Sequence, residues 1–205
     1  MGLEHISLLM KNNLSLPSPV EKKIRLIGCI LIGGKSSRMG QPKHLLKMEG
    51  HNWLELIYSR LAGVCDEVVV AGEGRLPEGD WHRLSDAPGC SGPMAGILAA
   101  MRHYPESLLI VCACDMPKVS TAALDWLLAQ RRDEDWALVP QVDNYCQPLF
   151  ALYDPRIRSA LEDLARKGVM KVGEICDNKH VRMIKPPSHL STAWLNINRP
   201  DELKV

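Results

Sequence analysis

The sequence predicts an α/β protein with a single doubly wound, mostly parallel sheet and helices on both faces. Three apolar runs lack the polar alternation of a half-exposed strand, at residues 26–32, 66–72 and 107–112. Segments with apolar residues at helical spacing separate these runs, the clearest being 53–62. Alternation of buried strands and helices indicates a parallel sheet, and the candidate site residues follow the ends of predicted strands.

A glycine-rich, basic segment follows the first apolar run. It reads Leu-Ile-Gly-Gly-Lys-Ser-Ser-Arg-Met-Gly-Gln-Pro-Lys from Leu31 to Lys43. Glycines let the backbone approach a ligand closely, and N–H groups turned out of such a loop bind anions. The segment therefore predicts a polyphosphate site, with a surface turn as the alternative. The predicted nucleotide-binding residues of this segment are Leu31, Ile32, Gly33, Gly34, Lys35, Ser36, Ser37, Arg38 and Lys43.

Two standard phosphate loops are excluded by the spacing of the glycines. The G-x-x-x-x-G-K-[ST] loop would need its first glycine at position 29, where the chain has Cys29. The dinucleotide fingerprint G-x-G-x-x-G is absent because the glycines stand at 33, 34 and 40.

Composition narrows the function classes. The 205 residues suffice for one domain with a sizeable core, and a net charge of +1 argues against binding to nucleic acid or a membrane surface. No apolar stretch approaches the length of a membrane span. Cys112 and Cys114 lie in an apolar run with no partner set for zinc, which favours buried thiols. Without a secretory pattern, the expected location is the cytoplasm.

Residues 1–23 do not fit the strand–helix pattern. They combine two prolines and polar residues with one weak apolar run. We expect a poorly ordered N-terminal extension there, followed by a single domain over residues 24–205.

The second candidate segment spans residues 86–97. Pro93 suits the first position of a helix, with Ser91 or Gly92 as its cap. Gly92 and Gly96 would give that helix a thin face on which a flat ligand could lie. Tight packing of the helix on the sheet is the alternative.

Asp115 follows the third apolar run. A carboxylate at the carboxyl end of a buried parallel strand faces the crevice where α/β proteins bind ligands, and Pro117 fixes the turn. The alternative is a helix cap, although Ser120 or Thr121 is better placed for that function.

These segments resemble the molybdenum cofactor guanylyltransferases, a family of nucleotidyltransferases with a Rossmann-like fold. The resemblance spans about residues 25–203. Four segments carry the resemblance, at residues 31–43, 86–96, 114–117 and 194–203. In the last of these segments, Asn196 and Asn198 would face one side of a strand, with an asparagine-rich turn as the alternative.

The resemblance implies transfer of GMP from GTP to the terminal phosphate of the molybdopterin cofactor, with release of pyrophosphate. It implies that Arg38, Lys43 and Asp115 are catalytic. Mg²⁺ would bind Asp115, with Asn198 as a second ligand, and Asn196 and Asn198 would contact the acceptor. GTP and molybdopterin are the expected substrates, and other proteins of cofactor biosynthesis are possible partners. The implied nucleotide pocket adds Asp86, Gly92, Pro93 and Gly96.

The choice of base depends on a few positions. Cytidylyl relatives tend to carry two alanines in place of Gly33 and Gly34, so the glycines favour guanosine, and the carboxylate of Asp86 could accept from guanine. Ala71 and Gln147 depart from the family, which often has asparagine and histidine there. A cytidylyltransferase, a sugar-phosphate nucleotidyltransferase and a nucleotide-binding adaptor without catalysis remain as alternatives.

Overall fold

The computed structural model of the chain describes residues 24–33 and 42–198. The strands in these ranges, numbered in chain order, are β1 Leu26–Leu31, β2 Lys47–Met48, β3 His51–Asn52, β4 Glu67–Ala71, β5 Arg83–Leu84, β6 Leu108–Ala113, β7 Ala137–Val142, β8 Tyr145–Cys146, β9 Phe150–Tyr153 and β10 Val181–Ile184. The α-helices are α1 Trp53–Ala62, α2 Pro93–His103, α3 Thr121–Ala129 and α4 Arg158–Arg166. Short 3-10 helices occupy Lys43–Leu45, Pro155–Ile157, Val172–Asp177 and Ser188–Trp194.

The main sheet brings the ends of several parallel strands together. Within the described ranges it has eight strands, in the order β10-β7-β9-β6-β1-β4-β5 with β8 paired to β7. β1 is parallel to both β4 and β6, so Leu31 is level with Ala71 and Ala113. β9 is antiparallel to β6 and β7. The prediction of a mostly parallel sheet is confirmed, and β1, β4, β6 and β7 end at one edge, here named the carboxyl edge.

Helices cover both faces of the sheet, as predicted for a doubly wound fold. α2 and α4 pack on one face, where Ile97 and Leu161 are fully buried. α1 and α3 pack on the other, where Ile57 and Leu124 are fully buried. Burial of each such side chain contributes about 1.5–3 kcal/mol before the cost of ordering the chain.

Local capping agrees with the sequence. The backbone N–H of Asn52 donates to Glu55 at 2.8 Å in a capping box that starts α1. The hydroxyl of Ser120 accepts from the N–H of Ala123 at 3.2 Å and caps α3. Because Ser120 caps this helix, Asp115 is not needed as its cap.

The predicted strand near the end of the chain is wrong. Residues 195–198 have no regular secondary structure. Trp194 stacks on Phe150 with ring centroids 4.7 Å apart, and its indole N–H donates to the Phe150 carbonyl at 2.9 Å. Ile197 is buried and donates its N–H to the carbonyl of Asp115 at 2.8 Å. Side-chain packing and this one backbone bond hold the segment in place of a strand ladder.

Candidate active site

The glycine-rich segment is described at its two ends. Gly33 follows β1 with a φ of +105°, a conformation that favours glycine. The chain is described again from Pro42, which precedes Lys43. The predicted phosphate ligands between them lie outside the described residues and stay predictions: Gly34, Lys35, Ser36, Ser37 and Arg38.

Leu31 and Ile32 are core residues at the start of this segment. Their side chains are buried in the two hydrophobic clusters on opposite faces of the sheet. The Leu31 carbonyl accepts from the N–H of Cys114, and the N–H of Ile32 donates to the Ala71 carbonyl, both at 2.9 Å. These bonds fix the point at which the chain leaves β1, and any nucleotide contact from either residue stays a prediction.

Lys43 joins three parts of the chain at the carboxyl edge. Its Nζ donates to Oδ2 of Asp115 at 3.2 Å and to Oδ1 of Asn198 at 2.7 Å. The Lys43 and Asp115 side chains are 16% and 25% exposed, so solvent screens the ion pair only partly. Sequence reasoning placed all three residues in the site, and the structure brings them together.

The turn that carries Asp115 is held from two sides. Its carbonyl accepts from Ile197, as described above, and the Met116 N–H donates to Ala113 at 3.1 Å. The guanidinium of Arg60 on α1 donates to the carbonyls of Pro117, at 3.0 Å, and Val119. The carboxylate of Asp115 therefore projects from a braced turn.

The free oxygen of Asp115 suits a hard cation. Its Oδ1 is buried and has no hydrogen-bond partner among the described residues. A buried carboxylate oxygen without a partner is costly, and Mg²⁺ binds to proteins through one or two carboxylates together with substrate phosphates and water. The described ranges contain no group of three or more His, Cys, Asp or Glu that could hold a metal alone. Asp115 thus fits a magnesium ion completed by a phosphorylated ligand.

The second predicted segment divides into two parts. Gly92, with φ +60°, and Pro93 are exposed at the start of α2. Gly96 is buried, and a Cβ placed on it would lie 2.7 Å from Cδ2 of Leu31 and 3.1 Å from Cβ of Ala71. Helix–sheet packing, the alternative given above, accounts for Gly96.

Asp86 precedes α2 and carries a second oxygen without a partner. Its Oδ1 is buried and makes no hydrogen bond within the described residues. Burial raises the pKa of the Asp86 carboxyl, Glu73 raises it further, and the Arg83 guanidinium lowers it. A ligand with a hydrogen-bond donor could therefore satisfy the unpartnered oxygen of Asp86.

Sequence reasoning missed the loop that follows β4 and its contacts. Arg83 donates to the carbonyls of Gly72, at 2.7 Å, and Gly74, at 2.9 Å. His44, beside Lys43, is buried, and its Nε2 lies 2.7 Å from the carbonyl of Arg75. An isolated arginine in a two-residue strand belongs to no motif, so no sequence signal pointed to it.

The remaining predictions concern two asparagines and two cysteines. Asn196 and Asn198 are both exposed on either side of buried Ile197, so they alternate as expected without forming a strand. Cys112 and Cys114 are buried thiols, as predicted, and burial raises the pKa of Cys114 to about 12. No helix in the described part of the chain is long and apolar enough to cross a membrane.

A mostly parallel sheet that carries a positive-φ glycine, a lysine and an aspartate at its carboxyl edge is typical of α/β proteins that bind a ligand in the crevice at that edge. The family model described as MobA-like NTP transferase domain matches residues 28–181. The chain belongs to this family of nucleotidyltransferases.

Individual relatives agree with the family. A Bacillus cereus protein named "Probable molybdenum cofactor guanylyltransferase" is 29% identical over 187 residues, which cover 87% of this chain and 94% of the relative. The crystal structure of molybdopterin-guanine dinucleotide biosynthesis protein A from Archaeoglobus fulgidus is 25% identical, with a TM-score of 0.71 and coverage of 87% and 95%. A 2-C-methyl-D-erythritol 4-phosphate cytidylyltransferase from Thermus thermophilus, 18% identical, has a TM-score of 0.60 over 88% and 96% of the two chains and shows the fold alone.

Proposed function

We propose that this protein transfers GMP from GTP to the terminal phosphate of the molybdopterin cofactor and releases pyrophosphate. Family membership supports nucleotidyl transfer, and the names of the Bacillus and Archaeoglobus relatives support this donor and acceptor. The observation that carries the proposal is the contact of Lys43 with Asp115 and Asn198 at the carboxyl edge of the sheet.

The proposed reaction is an in-line substitution at the α-phosphorus of GTP. A terminal phosphate oxygen of the acceptor bonds to that phosphorus, and the bond from phosphorus to the oxygen bridging to the β-phosphate breaks. Pyrophosphate leaves with the bonding electron pair. The attacking phosphate is already ionised at neutral pH, since its second pKa is about 6, so no general base is assigned.

Lys43 is proposed to neutralise negative charge that grows on the α-phosphate. An ammonium group has three N–H donors, and in Lys43 two of them are directed at Asp115 and Asn198. Those two bonds orient the third donor. A cation held in place before the reaction stabilises the transition state without further reorganisation.

The proposed metal is Mg²⁺ at Asp115. Its buried, unpartnered Oδ1 supports this assignment, with the remaining positions left to phosphate oxygens and water. Asn198 is the proposed second protein ligand. The ion would supply positive charge to the triphosphate, while Lys35 and Arg38 are proposed to contact its β- and γ-phosphates.

The proposed selection of guanine rests on Asp86. Guanine presents the N1–H and an exocyclic amine side by side, and a carboxylate accepts from both. The unpartnered oxygen of Asp86 supports this assignment. The N–H of Ala87 donates to the Ala95 carbonyl at 3.1 Å, which ties the loop to the start of α2, where Gly92 and Pro93 would line the pocket. Adenine has no N1–H, so ATP should bind more weakly.

Asn196 and Asn198 are proposed to orient the acceptor. Both are exposed, and the bond of Asn198 to Lys43 supports this assignment. Other proteins of cofactor biosynthesis are further proposed partners.

The experiment that tests this function measures pyrophosphate release with Mg²⁺ and molybdopterin, using GTP, CTP or ATP. We expect release with GTP and little with the other two. Asp115→Asn should lower the rate by about 10²–10³-fold, as for removal of a charge-stabilising group. Exposed Asp133→Asn is the matched control and should keep the rate.

Other outcomes point to specific alternatives. Preference for CTP would keep the mechanism but overturn the proposed function of Asp86. If pyrophosphate is released only when a sugar phosphate is present, a sugar phosphate rather than molybdopterin is the acceptor. A nucleotide-binding adaptor would bind nucleotide but release no pyrophosphate with any acceptor, and Asp115→Asn would leave its partner binding intact.

A further inference from the structure

The loop after β4 supplies the polar groups at that strand end. The last residue of β4, Ala71, is fully buried and has no polar side chain. The chain then turns through residues 72–75, here named the β4 loop. The β4 loop can offer polar contacts at this strand end through its backbone and through the exposed residues Glu73 and Arg75.

Arg83 fixes the β4 loop from the neighbouring strand. Its two terminal nitrogens donate to the carbonyls of Gly72 at 2.7 Å and Gly74 at 2.9 Å, on either side of Glu73. A planar guanidinium presents several donors in a rigid fork, so one side chain can hold two carbonyls at once. A lysine ammonium in the same place would keep the charge but lose the fork.

The β4 loop touches both ends of the glycine-rich segment. A Cβ built on Gly33 would lie 3.4 Å from the carbonyl oxygen of Glu73 and 3.7 Å from its nitrogen. At the other end, the ring of His44 contacts the carbonyl of Arg75 at 2.7 Å. The position of the β4 loop therefore affects where the glycine-rich segment leaves β1 and where it rejoins Lys43.

The same guanidinium acts on Asp86. Three titratable or charged groups interact with this carboxyl: Glu73 from the β4 loop, Arg83 from β5 and the Cys29 thiol from β1. Glu73 disfavours the ionised form of Asp86, and Arg83 favours it. Burial also disfavours the ionised form, so the cation offsets part of that penalty.

We propose that Arg83 is a positioning residue of the nucleotide site, which holds the β4 loop against Gly33 and against His44, beside Lys43. The inference rests on the proposed function, because it assumes that GTP occupies this edge. Arg83 acts through the β4 loop rather than on the reacting atoms, and its charge also lowers the pKa of the Asp86 carboxyl.

The test measures GTP affinity by calorimetry, with Mg²⁺ and without acceptor, from neutral pH down through the usual aspartate range. Arg83→Lys loses the fork and should weaken binding about tenfold, the value of one charged hydrogen bond, with the pH profile unchanged. Arg83→Met should weaken binding further and move the acid-side loss of affinity to higher pH. Glu73→Gln should move that loss to lower pH.

Arg102→Met is the matched control, because Arg102 lies in the last turn of α2 and pairs with Glu162 at 3.1 Å. It should keep the wild-type affinity and pH profile. Thermal unfolding of each variant separates a folding defect from a binding defect.

Two results would overturn the inference. One is wild-type affinity and pH profile in both Arg83 variants. The other is weaker binding by Arg83→Met with an unshifted pH profile and a lower melting temperature, which would indicate a purely structural residue. If the wild-type protein itself binds no GTP, the proposed function fails and the inference fails with it. If the wild-type protein binds GTP and the Arg83 variants bind it equally well, only the inference fails.

Discussion

The ammonium of Lys43 lies 3.2 Å from the Asp115 carboxylate, although 72 positions separate the two residues in the chain. Lys43 begins a 3-10 helix that follows the glycine-rich segment, whereas Asp115 leaves the end of β6. The parallel pairing of β1 with β6 makes this contact, because it brings both strand ends to the carboxyl edge. The pair links the end of the glycine-rich segment to the proposed metal ligand.

Replacing Lys43 with methionine should lower the rate of nucleotidyl transfer by about 10²–10³-fold, because the α-phosphate loses its neutralising cation. Steady-state pyrophosphate release measures this change. Lys47→Met removes an exposed cation four residues away and should keep the wild-type rate. Equal rates for Lys43→Met and the wild type would remove Lys43 from the mechanism.

Gly96→Ala should destabilise the fold by about 1–3 kcal/mol through overpacking. The added methyl would meet Leu31 at 2.7 Å and Ala71 at 3.1 Å, and the methyl of Ala71 cannot rotate away. Urea unfolding gives the free energy of unfolding. Gly63→Ala is the control, since Gly63 has a helical φ of −72° and tolerates a side chain. Equal stability of the Gly96 variant would show that the helix can shift away from the sheet.

His44 should make the fold less stable at acid pH. Burial lowers the pKa of this imidazole below its usual 6.5, and Arg83 lowers it further, although the bond to Arg75 opposes both. The unfolded chain takes up a proton as the pH falls through about 6.5, whereas the folded chain does so only at lower pH. The free energy of unfolding therefore decreases as the pH falls from the pKa of His44 in the unfolded chain to its lower pKa in the folded chain.

Unfolding free energies between pH 8 and 5 check this sign. His44→Gln should flatten the dependence in that window, and replacement of exposed His189 by glutamine should leave it as in the wild type. The same slope in His44→Gln as in the wild type would show that His44 does not titrate in this way.

Asp135→Asn should lower the free energy of unfolding by about 3–5 kcal/mol, because it breaks the largely buried ion pair with Arg182 and leaves the guanidinium without this counter-charge. The Asp135 side chain is 5% exposed and accepts from Arg182 at 2.8 and 2.9 Å. Burial opposes its ionisation, but Arg182 and the N–H of Arg132 outweigh burial and lower the pKa of Asp135. Acid should therefore destabilise the fold as pH falls from the usual aspartate pKa toward the lowered one.

Urea unfolding measures the loss of stability in Asp135→Asn and in the control Asp133→Asn, which changes an aspartate two residues away. Asp133 is fully exposed, so its replacement should change stability by less than about 0.5 kcal/mol. Similar losses in the two variants would contradict the assignment of Asp135 as the buried partner.

The sequence predicted the sheet and its helices because their signals are local. The unbroken apolar runs of β1, β4 and β6 and the caps at Asn52 and Ser120 each lie within a few residues. Lys43 and Asp115 were identified because both follow strand ends in recognisable motifs.

The contacts that sequence reasoning missed connect distant segments. Arg83 reaches the β4 loop across a strand pair, and the segment around Ile197 is held by Asp115 and by packing of Trp194 rather than by a strand pattern. Gly96 also shows the limit of a motif, because a small residue near a ligand and one packed on a strand look alike in sequence.

The most direct test of the central claim identifies the product by mass spectrometry after incubation of the protein with GTP, Mg²⁺ and molybdopterin. We predict a product equal to the acceptor plus GMP less one water, formed together with pyrophosphate and lost in Asp115→Asn. An acceptor that stays unmodified while GTP remains bound, or one that is modified only when CTP or ATP replaces GTP, would contradict guanylyl transfer.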